Sequence, residues 1–474
     1  MTARVELPVW ALVLILLFAA VTFASHFLFP SVRWFLRRRA ERVVAELNKR
    51  LERPIQPFKL ARRTDMIQRV IYDRDVVEAV QARATETGVR EDVVFAEAKR
   101  YAREIVPSFS ATAYFGFATR VAKRLSRFLF DVHFAETRPG SLAAIDPEAT
   151  VIYVMNHRSN MDYVLVTYLA ARRSALSYAV GEWARVWPLT GFIRWMGAFF
   201  IRRRSSNGLY RQVLARYVQL STQAGVPQAM FPEGGLSLSG APGDPKLGLI
   251  SYIIEGYSLS GRDMVFVPVA INYDRVLEDR VLVAAGRRGD RRFRASAAEA
   301  FMFSLRYLWR RVRGRGHRFG AAAVVAAEPL SLRLMAEADG VPSPEVLARA
   351  LFDRIRASVP IPLVPLVAHA IRDAADTGAA PDDDAIVAAV GDLVQAIEGQ
   401  RLFLTFDPAQ LDTAVRFELS VLRRRRILAP GPTVAPQGDG PELLAFYARS
   451  VAHHLAADSK PAAEGRAPAE FEPT

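Results

Sequence analysis

The 474-residue sequence predicts an α/β protein: a central sheet flanked by helices, with helical extensions at both ends and an apolar helix at the N terminus. Three observations predict it. From Gly140 onward, short apolar runs (TVIYVM, LSYAVG, GAFFI, QAMFP, MVFVPVAI, AAAVVAA) alternate with longer helical stretches, the pattern of a layered core with a mostly buried sheet. Apolar residues at three-to-four spacing fill the sequence before and after that region. The stretch from Leu7 to Val32 carries no charged residue.

The N-terminal run PVWALVLILLFAAVTFASHFLFP is long enough to cross a bilayer core of roughly 30 Å, so residues 1–32 are expected to form a transmembrane anchor. A cleaved signal peptide is the competing reading. Its apolar region is usually shorter and its start more basic, whereas here Arg4 is offset by Glu6. Arg33, Arg37, Arg38, Arg39 and Arg42 follow at once, and such a cluster is retained on the cytoplasmic side. The expectation is a single-pass protein of the cell membrane, with membrane lipids as partners and the catalytic domain cytoplasmic.

Residues 33–140 read as a helical lead-in, carried by ERVVAELNKRLE, DRDVVEAVQARATETG, DVVFAEAKRYAREIV and ATRVAKRLSRFLFDVHF. Residues 141–335 hold the alternating core. Residues 336–458 turn helical again, with capped amphipathic segments such as PSPEVLARALFDRIRASV and DDDAIVAAVGDLVQAIEGQ. The tail, 459–474, is rich in Ala, Pro and Glu and reads as disordered.

Composition narrows the chemistry. There is no cysteine, which removes disulfides, thiolate metal sites and a cysteine nucleophile. The seven histidines show no HExxH or comparable spacing, and His453 and His454, adjacent on a helix, are expected to point apart, so no metal site is expected. Lys and Arg total 63 against 49 Asp and Glu, a net charge of +14 that favours acidic partners or marks a solvated surface. The arginine runs lack the interleaved aromatics of single-strand binders, so nucleic acid is not expected.

Four blocks carry the chemistry. NHRSNMDY, residues 156–163, follows the strand-like VIYVM and precedes the apolar YVLVTYLAA, placing His157 where a strand ends. Ser159 or Asn160 can cap the following helix, which puts Asp162 in or near its first turn with its carboxylate folded back toward the His157 ring. A histidine held in this way is a competent general base, because an unperturbed imidazole titrates near physiological pH, and no covalent enzyme intermediate is then needed. Taken alone, the spacing also suits two ordinary polar residues at a helix start. GAFFIRRR, residues 197–204, delivers Arg202, Arg203 and Arg204 at a strand end, and guanidinium forks match phosphate oxygens. FPEGGLSLSG, residues 231–240, places Glu233, Gly234 and Gly235 after a strand, where backbone donors can receive an anion or a hydroxyl. VPVAINYDRVLE, residues 267–278, is an apolar strand that Pro268 is expected to break near the pocket. The third block lacks the last glycine of a G-x-S-x-G elbow and the Lys-Ser of a phosphate loop, which sets those two grammars aside.

In this order the four blocks resemble the glycerolipid acyltransferase superfamily, most closely its glycerol-3-phosphate acyltransferase branch, which includes dihydroxyacetone-phosphate acyltransferases. The resemblance implies a glycerolipid acyltransferase core with His157 and Asp162 catalytic and Arg202 binding the acceptor phosphate. It also implies that Glu233, Gly234 and Gly235 bind the acceptor and that Pro268 lines the site. The implied reaction moves a fatty acyl group from acyl-CoA or acyl carrier protein to glycerol 3-phosphate, with no cofactor. KRYAREIVPSFS, PIPLVPLVAHAI and FYARSVAHH extend the likeness outside the core. One departure stands out: where the family shows Arg-Ser-Arg-Thr-Gly, this chain has Leu236-Ser237-Leu238-Ser239-Gly240. Arg203, Arg204, Lys246 and Arg275 are the candidates to replace the missing cations. Acylation of a lysophospholipid or of dihydroxyacetone phosphate, or a catalytically degenerate membrane-binding relative, are the alternatives.

Overall fold

The computed structural model describes residues 8–170, 173–181, 189–202, 207–289, 318–378, 381–456 and 469–470; the side chains of 20–37, Thr22 excepted, and of a few scattered positions lie outside that description. The chain divides into two compact units, Met1–Ile55 and Gln56–Thr474.

The first unit is built on one helix, Val9–Asn48, so the expected anchor and the start of the lead-in form a single element. Val9, Trp10 and the run Leu12–Phe18 expose their side chains. The transmembrane expectation is not met among the described residues, where no helix is long and apolar enough to cross a membrane. The run Val9–Ala19 is about 16 Å long at ~1.5 Å per residue, against the roughly 30 Å of a bilayer core. The rest of the predicted anchor, Met1–Leu7 and the side chains of 20–32 other than Thr22, lies outside the described residues.

The second unit is organised around a nine-stranded mixed sheet: β1 (Asp131–Glu136), β2 (Thr150–Met155), β3 (Ser177–Gly181), β4 (Phe199–Ile201), β5 (Gln228–Met230), β6 (Met264–Tyr273), β7 (Ala321–Ala326), β8 (Leu330–Ser331) and β9 (Ala469–Glu470). The order is β4-β3-β5-β2-β6-β7-β1-β9, with β8 paired to β6. From β4 to β6 every pairing is parallel; β7 then runs antiparallel to β6, and β1 parallel to β7. β2, β3, β6 and β7 are buried along their whole length, the reason their sequences are continuous apolar runs without alternation.

Two element boundaries differ from the sequence expectation. In ATRVAKRLSRFLFDVHF the helix ends at Leu129, and DVHFAE becomes β1, so the sheet begins inside the stretch expected to be helical lead-in. The partner that draws it into the sheet, β7, lies some 190 residues on, Asp131 pairing with Ala321. Pro268 does not break its strand: β6 runs unbroken through it, with Pro268 opposite Val154 and its carbonyl accepting from Ala327 N–H at 2.8 Å. A proline needs only a position where its missing N–H is not called for, and its carbonyl still serves the ladder.

Helices on either side of the core sequence pack into it. Arg63–Ile71, Arg74–Thr87, Glu91–Ile105 and Gly208–Gln223 share one buried cluster with Ile152, Val154, Phe199 and Phe266 of the sheet, and Pro344–Ala357 of the C-terminal region joins the same cluster. His453 and His454 do not diverge. Their rings stand 4.1 Å apart, because each turns its Nε2 to a backbone carbonyl at or just past the end of the helix Pro344–Ala357, His453 to Arg356 O at 2.9 Å and His454 to Val359 O at 3.1 Å. Burial and the neighbouring ring push His454 down to about 3. Of the predicted disordered tail, only Ala469–Glu470 is described, paired antiparallel to the end of β1.

Candidate active site

Because β2 to β6 run parallel, their carboxyl ends share one edge of the sheet, the usual place for a site in such a fold. His157 follows β2, Glu233 follows β5, Arg202 follows β4, and Tyr273 ends β6. The strand order makes β5 and β6 the neighbours of β2 and sets β4 three places away, about 14 Å at ~4.8 Å per strand.

After Met155 the chain leaves the sheet in a tight turn and enters the helix Met161–Ala170. Asn156 anchors the exit, its side chain donating to Ile271 O at 2.9 Å and accepting from Ile271 N–H at 2.7 Å. Ser159 Oγ accepts from Met161 N–H at 3.1 Å and donates to buried Glu278 at 2.8 Å, and Asn160 N–H donates to the same carboxylate at 3.2 Å. Asp162 falls in the first helical turn, and its Oδ2 lies 2.8 Å from His157 Nδ1. Both residues are buried, with exposures of 2% and 0%.

The surroundings of Asp162 decide the tautomer of His157. Oδ2 also accepts from the backbone N–H of Arg158 at 2.7 Å and of Ser159 at 3.0 Å, and Oδ1 accepts from Tyr273 O–H at 2.6 Å. A carboxylate among such donors is an acceptor for His157 as well, so Nδ1 carries the proton and Nε2 presents its lone pair. Burial pushes the Tyr273 phenol well above its ordinary value, which keeps it a donor. The imidazole is stacked on Phe231 at 4.2 Å and meets Tyr163 edge-on at 5.5 Å. Tyr273→Phe removes one of the bonds that fix Asp162. It is expected to lower kcat about tenfold with KM little changed, a split that steady-state kinetics measures.

Glu233, which the resemblance assigns to the acceptor, holds the histidine main chain. Its Oε1 accepts from the His157 backbone N–H at 3.0 Å, and Ser237 N–H donates to His157 O at 2.9 Å, so the glycine-rich loop clamps the histidine main chain from both sides. Burial pushes Glu233 up to about 7, opposed by the hydrogen bonds from His157 and Gly243. A raised carboxyl pKa means the folded protein binds the proton more tightly than the unfolded chain. This contribution to stability is therefore complete below about 4.5 and is lost as pH rises through about 7. Wild type should accordingly lose stability against Glu233→Gln between those pH values, by up to ~3 kcal/mol. Denaturation midpoints of the two proteins at several pH values check the slope.

The remaining predicted residues are placed as follows. Gly234 has φ +69°, and a Cβ there would lie 2.9 Å from Lys246 Nζ; Gly235 is half-buried in the same loop. Pro268 sits mid-sheet opposite Val154, so the β6 residue that reaches the His–Asp pair is Tyr273. Arg202 is held away from it, in a two-pronged ion pair with Glu104 (2.7 and 2.6 Å) and against the rings of Tyr101 and Tyr210. Arg203 and Arg204 lie outside the described residues, and Arg275 is buried in an ion pair with Glu418. Sequence reasoning had not singled out Tyr273, Glu278, Phe231 or Arg158. The first two lie within the VPVAINYDRVLE block, whose Tyr and Glu were the available signal. Arg158 is buried, donates through Nη1 to Gly240 O and stands 4.9 Å over the Phe446 ring, joining the active-site turn to the C-terminal helix Gly440–Ala448.

Comparison with known proteins agrees with this geometry. The sequence profile of the Acyltransferase family matches residues 130–272, from the residue before β1 to the last but one of β6. The glycerol-3-phosphate acyltransferase of Pseudomonas fluorescens is 28% identical over 62% of this chain and 34% of its own length, and that of Ectopseudomonas mendocina 30% identical over 58% and 32%. The chain thus spans about a third of the length of the curated relatives it matches. A solved structure, the 1-acyl-sn-glycerophosphate (LPA) acyltransferase PlsC of Thermotoga maritima, is 17% identical over 51% of this chain and 76% of that one, with a TM-score of 0.32, too distant a likeness to bear on the assignment. Residues 130–272 are an acyltransferase domain, and over a stretch that includes it the chain is similar to proteins named glycerol-3-phosphate acyltransferase.

Proposed function

We propose that the protein is a glycerol-3-phosphate 1-O-acyltransferase of phospholipid synthesis, taking its acyl group from acyl-CoA or acyl carrier protein. The observation that carries the proposal is the buried His157–Asp162 pair at the carboxyl edge of the sheet, with Nε2 left as the base. The acceptor hydroxyl gives its proton to Nε2 as its oxygen attacks the thioester carbonyl. The tetrahedral intermediate collapses with loss of the thiolate, which takes that proton from the imidazolium, and Asp162 stabilises the cation in between. The relatives named glycerol-3-phosphate acyltransferase support the acceptor.

Arg202 remains the proposed phosphate ligand, with the addition that an incoming phosphate competes with Glu104 for it. Arg202→Ala should raise the acceptor KM about tenfold, and Glu104→Gln, which loosens the arginine, should lower it. An unchanged acceptor KM in both variants makes the pair structural and the phosphate site another one.

A second reading, acylation of a lysophospholipid, is favoured by Leu236 and Leu238, which put half-buried apolar side chains where the family resemblance expects arginines. Parallel assays of the membrane fraction with glycerol 3-phosphate, dihydroxyacetone phosphate and lysophosphatidate decide between them. Preferential turnover of glycerol 3-phosphate supports the first reading, and of lysophosphatidate the second. The exposed apolar row Val9–Phe18, followed by the arginine cluster 33–42, supports attachment to the membrane with the catalytic domain on the cytoplasmic side. A C-terminal reporter should then respond as cytoplasmic.

A further inference from the structure

On the face of the second unit formed by the helix Thr119–Leu129 lies an open cavity of about 610 Å³ lined by Arg120, Lys123, Arg124, Arg127, Phe128 and Arg318. At ~100° per residue, Ala118, Ala122, Ser126 and Leu129 fall on one side of the helix, and all are buried. The opposite side carries the four cations, and along one flank of them lie Val121 and Phe117, 41% and 57% exposed, and the half-buried Phe128. Phe117 is the last residue but one of the π-helical turn Thr112–Ala118 that leads into the helix. Lys123 and Arg127 lie over the Tyr168 ring, 5.8 and 5.7 Å away, which fixes this helix against the one that begins at the active site. Exposed Asp131 lies 3.9 Å from Arg318. Arg120, Lys123 and Arg124 make no ion pair among the described residues.

A row of cations flanked on one side by exposed aromatic and aliphatic side chains of the same helix suits an interface that is anionic at its surface and apolar just beneath. An acidic protein surface would answer the charge but would leave Phe117 and Val121 with nothing to enter. We infer that this face docks on an anionic phospholipid bilayer, its arginines and lysine on the headgroup phosphates and Phe117, Val121 and Phe128 at the level of the glycerol backbone. This contact is built from residues of the second unit alone and does not depend on which acceptor the enzyme uses.

The absence of cysteine from the chain allows a direct test. Val121→Cys in the full-length protein, reconstituted in nanodiscs and labelled with an environment-sensitive dye, should emit at shorter wavelength in discs containing phosphatidylglycerol than in discs of phosphatidylcholine alone. A label at Val346→Cys, exposed on the helix Pro344–Ala357, should stay water-like in both. The shift should disappear at raised ionic strength and in the background Arg120→Glu/Lys123→Glu/Arg124→Glu. Four results would overturn the inference: the same emission in both lipids, a shifted emission already present in detergent without lipid, a shift that survives both salt and charge reversal, or a shift produced by acyl carrier protein and not by lipid.

Discussion

Asp162→Asn should lower kcat for acyl transfer by about 10³- to 10⁴-fold while the protein still folds. The carboxylate serves donors on both oxygens: His157 Nδ1 and the N–H groups of Arg158 and Ser159 on Oδ2, and Tyr273 O–H on Oδ1. An amide has one acceptor oxygen. If that oxygen faces Nδ1, the geometry survives but the negative charge that stabilises the imidazolium is gone. If the amide nitrogen faces it, the imidazole is driven to the other tautomer and Nε2 loses its lone pair. Both outcomes reach the chemical step and leave substrate contacts alone, so KM should change far less than kcat. Circular dichroism together with steady-state kinetics checks the two halves of this expectation.

The largest effect on stability should come from Gly240→Ala. Gly240 has φ +93°, and a Cβ built there would lie 1.8 Å from the Phe446 carbonyl oxygen, a backbone atom that cannot swing aside. Either the loop or the helix Gly440–Ala448 has to move. Movement breaks the Ser237 Oγ bond to Gly240 N–H at 3.1 Å and the donation from Arg158 to Gly240 O. Strain of a non-glycine residue at positive φ and overpacking each cost ~1–3 kcal/mol, so a loss of about 3–5 kcal/mol is expected. Because the same loop clamps the His157 main chain, activity should fall with stability. Gly248→Ala, where an added Cβ meets nothing within 4 Å, should stay within about 1 kcal/mol of wild type and serves as the control in thermal unfolding.

What could be read from the sequence is what is local. His157 and Asp162 are five residues apart across a strand-to-helix turn, and the serine cap, the helix start and the apolar strand before them are each written within the same short stretch. The buried strands announce themselves in the same way, as apolar runs bounded by turns. What could not be read is pairing across the chain. Tyr273 reaches Asp162 over 111 residues, Glu278 reaches Ser159 over 119, and Glu104 claims Arg202 over 98. An arginine at a strand end has the same local pattern whether a phosphate or a distant glutamate receives it. β1 was hidden for a related reason: DVHFAE continues a helical spacing, and only its neighbour β7 makes it a strand. Pro268 misled in the other direction, because a local rule about proline yields where the sheet does not call for its N–H.

The central claim, that His157 is the base of an O-acyl transfer, is tested most directly by one measurement: the rate at which the full-length protein, reconstituted in lipid, moves a radiolabelled acyl group from acyl-CoA to glycerol 3-phosphate, wild type against His157→Ala. The account predicts a loss of at least about 10³-fold in the variant at saturating substrates, with folding retained. Transfer in the His157→Ala protein at the wild-type rate would contradict it.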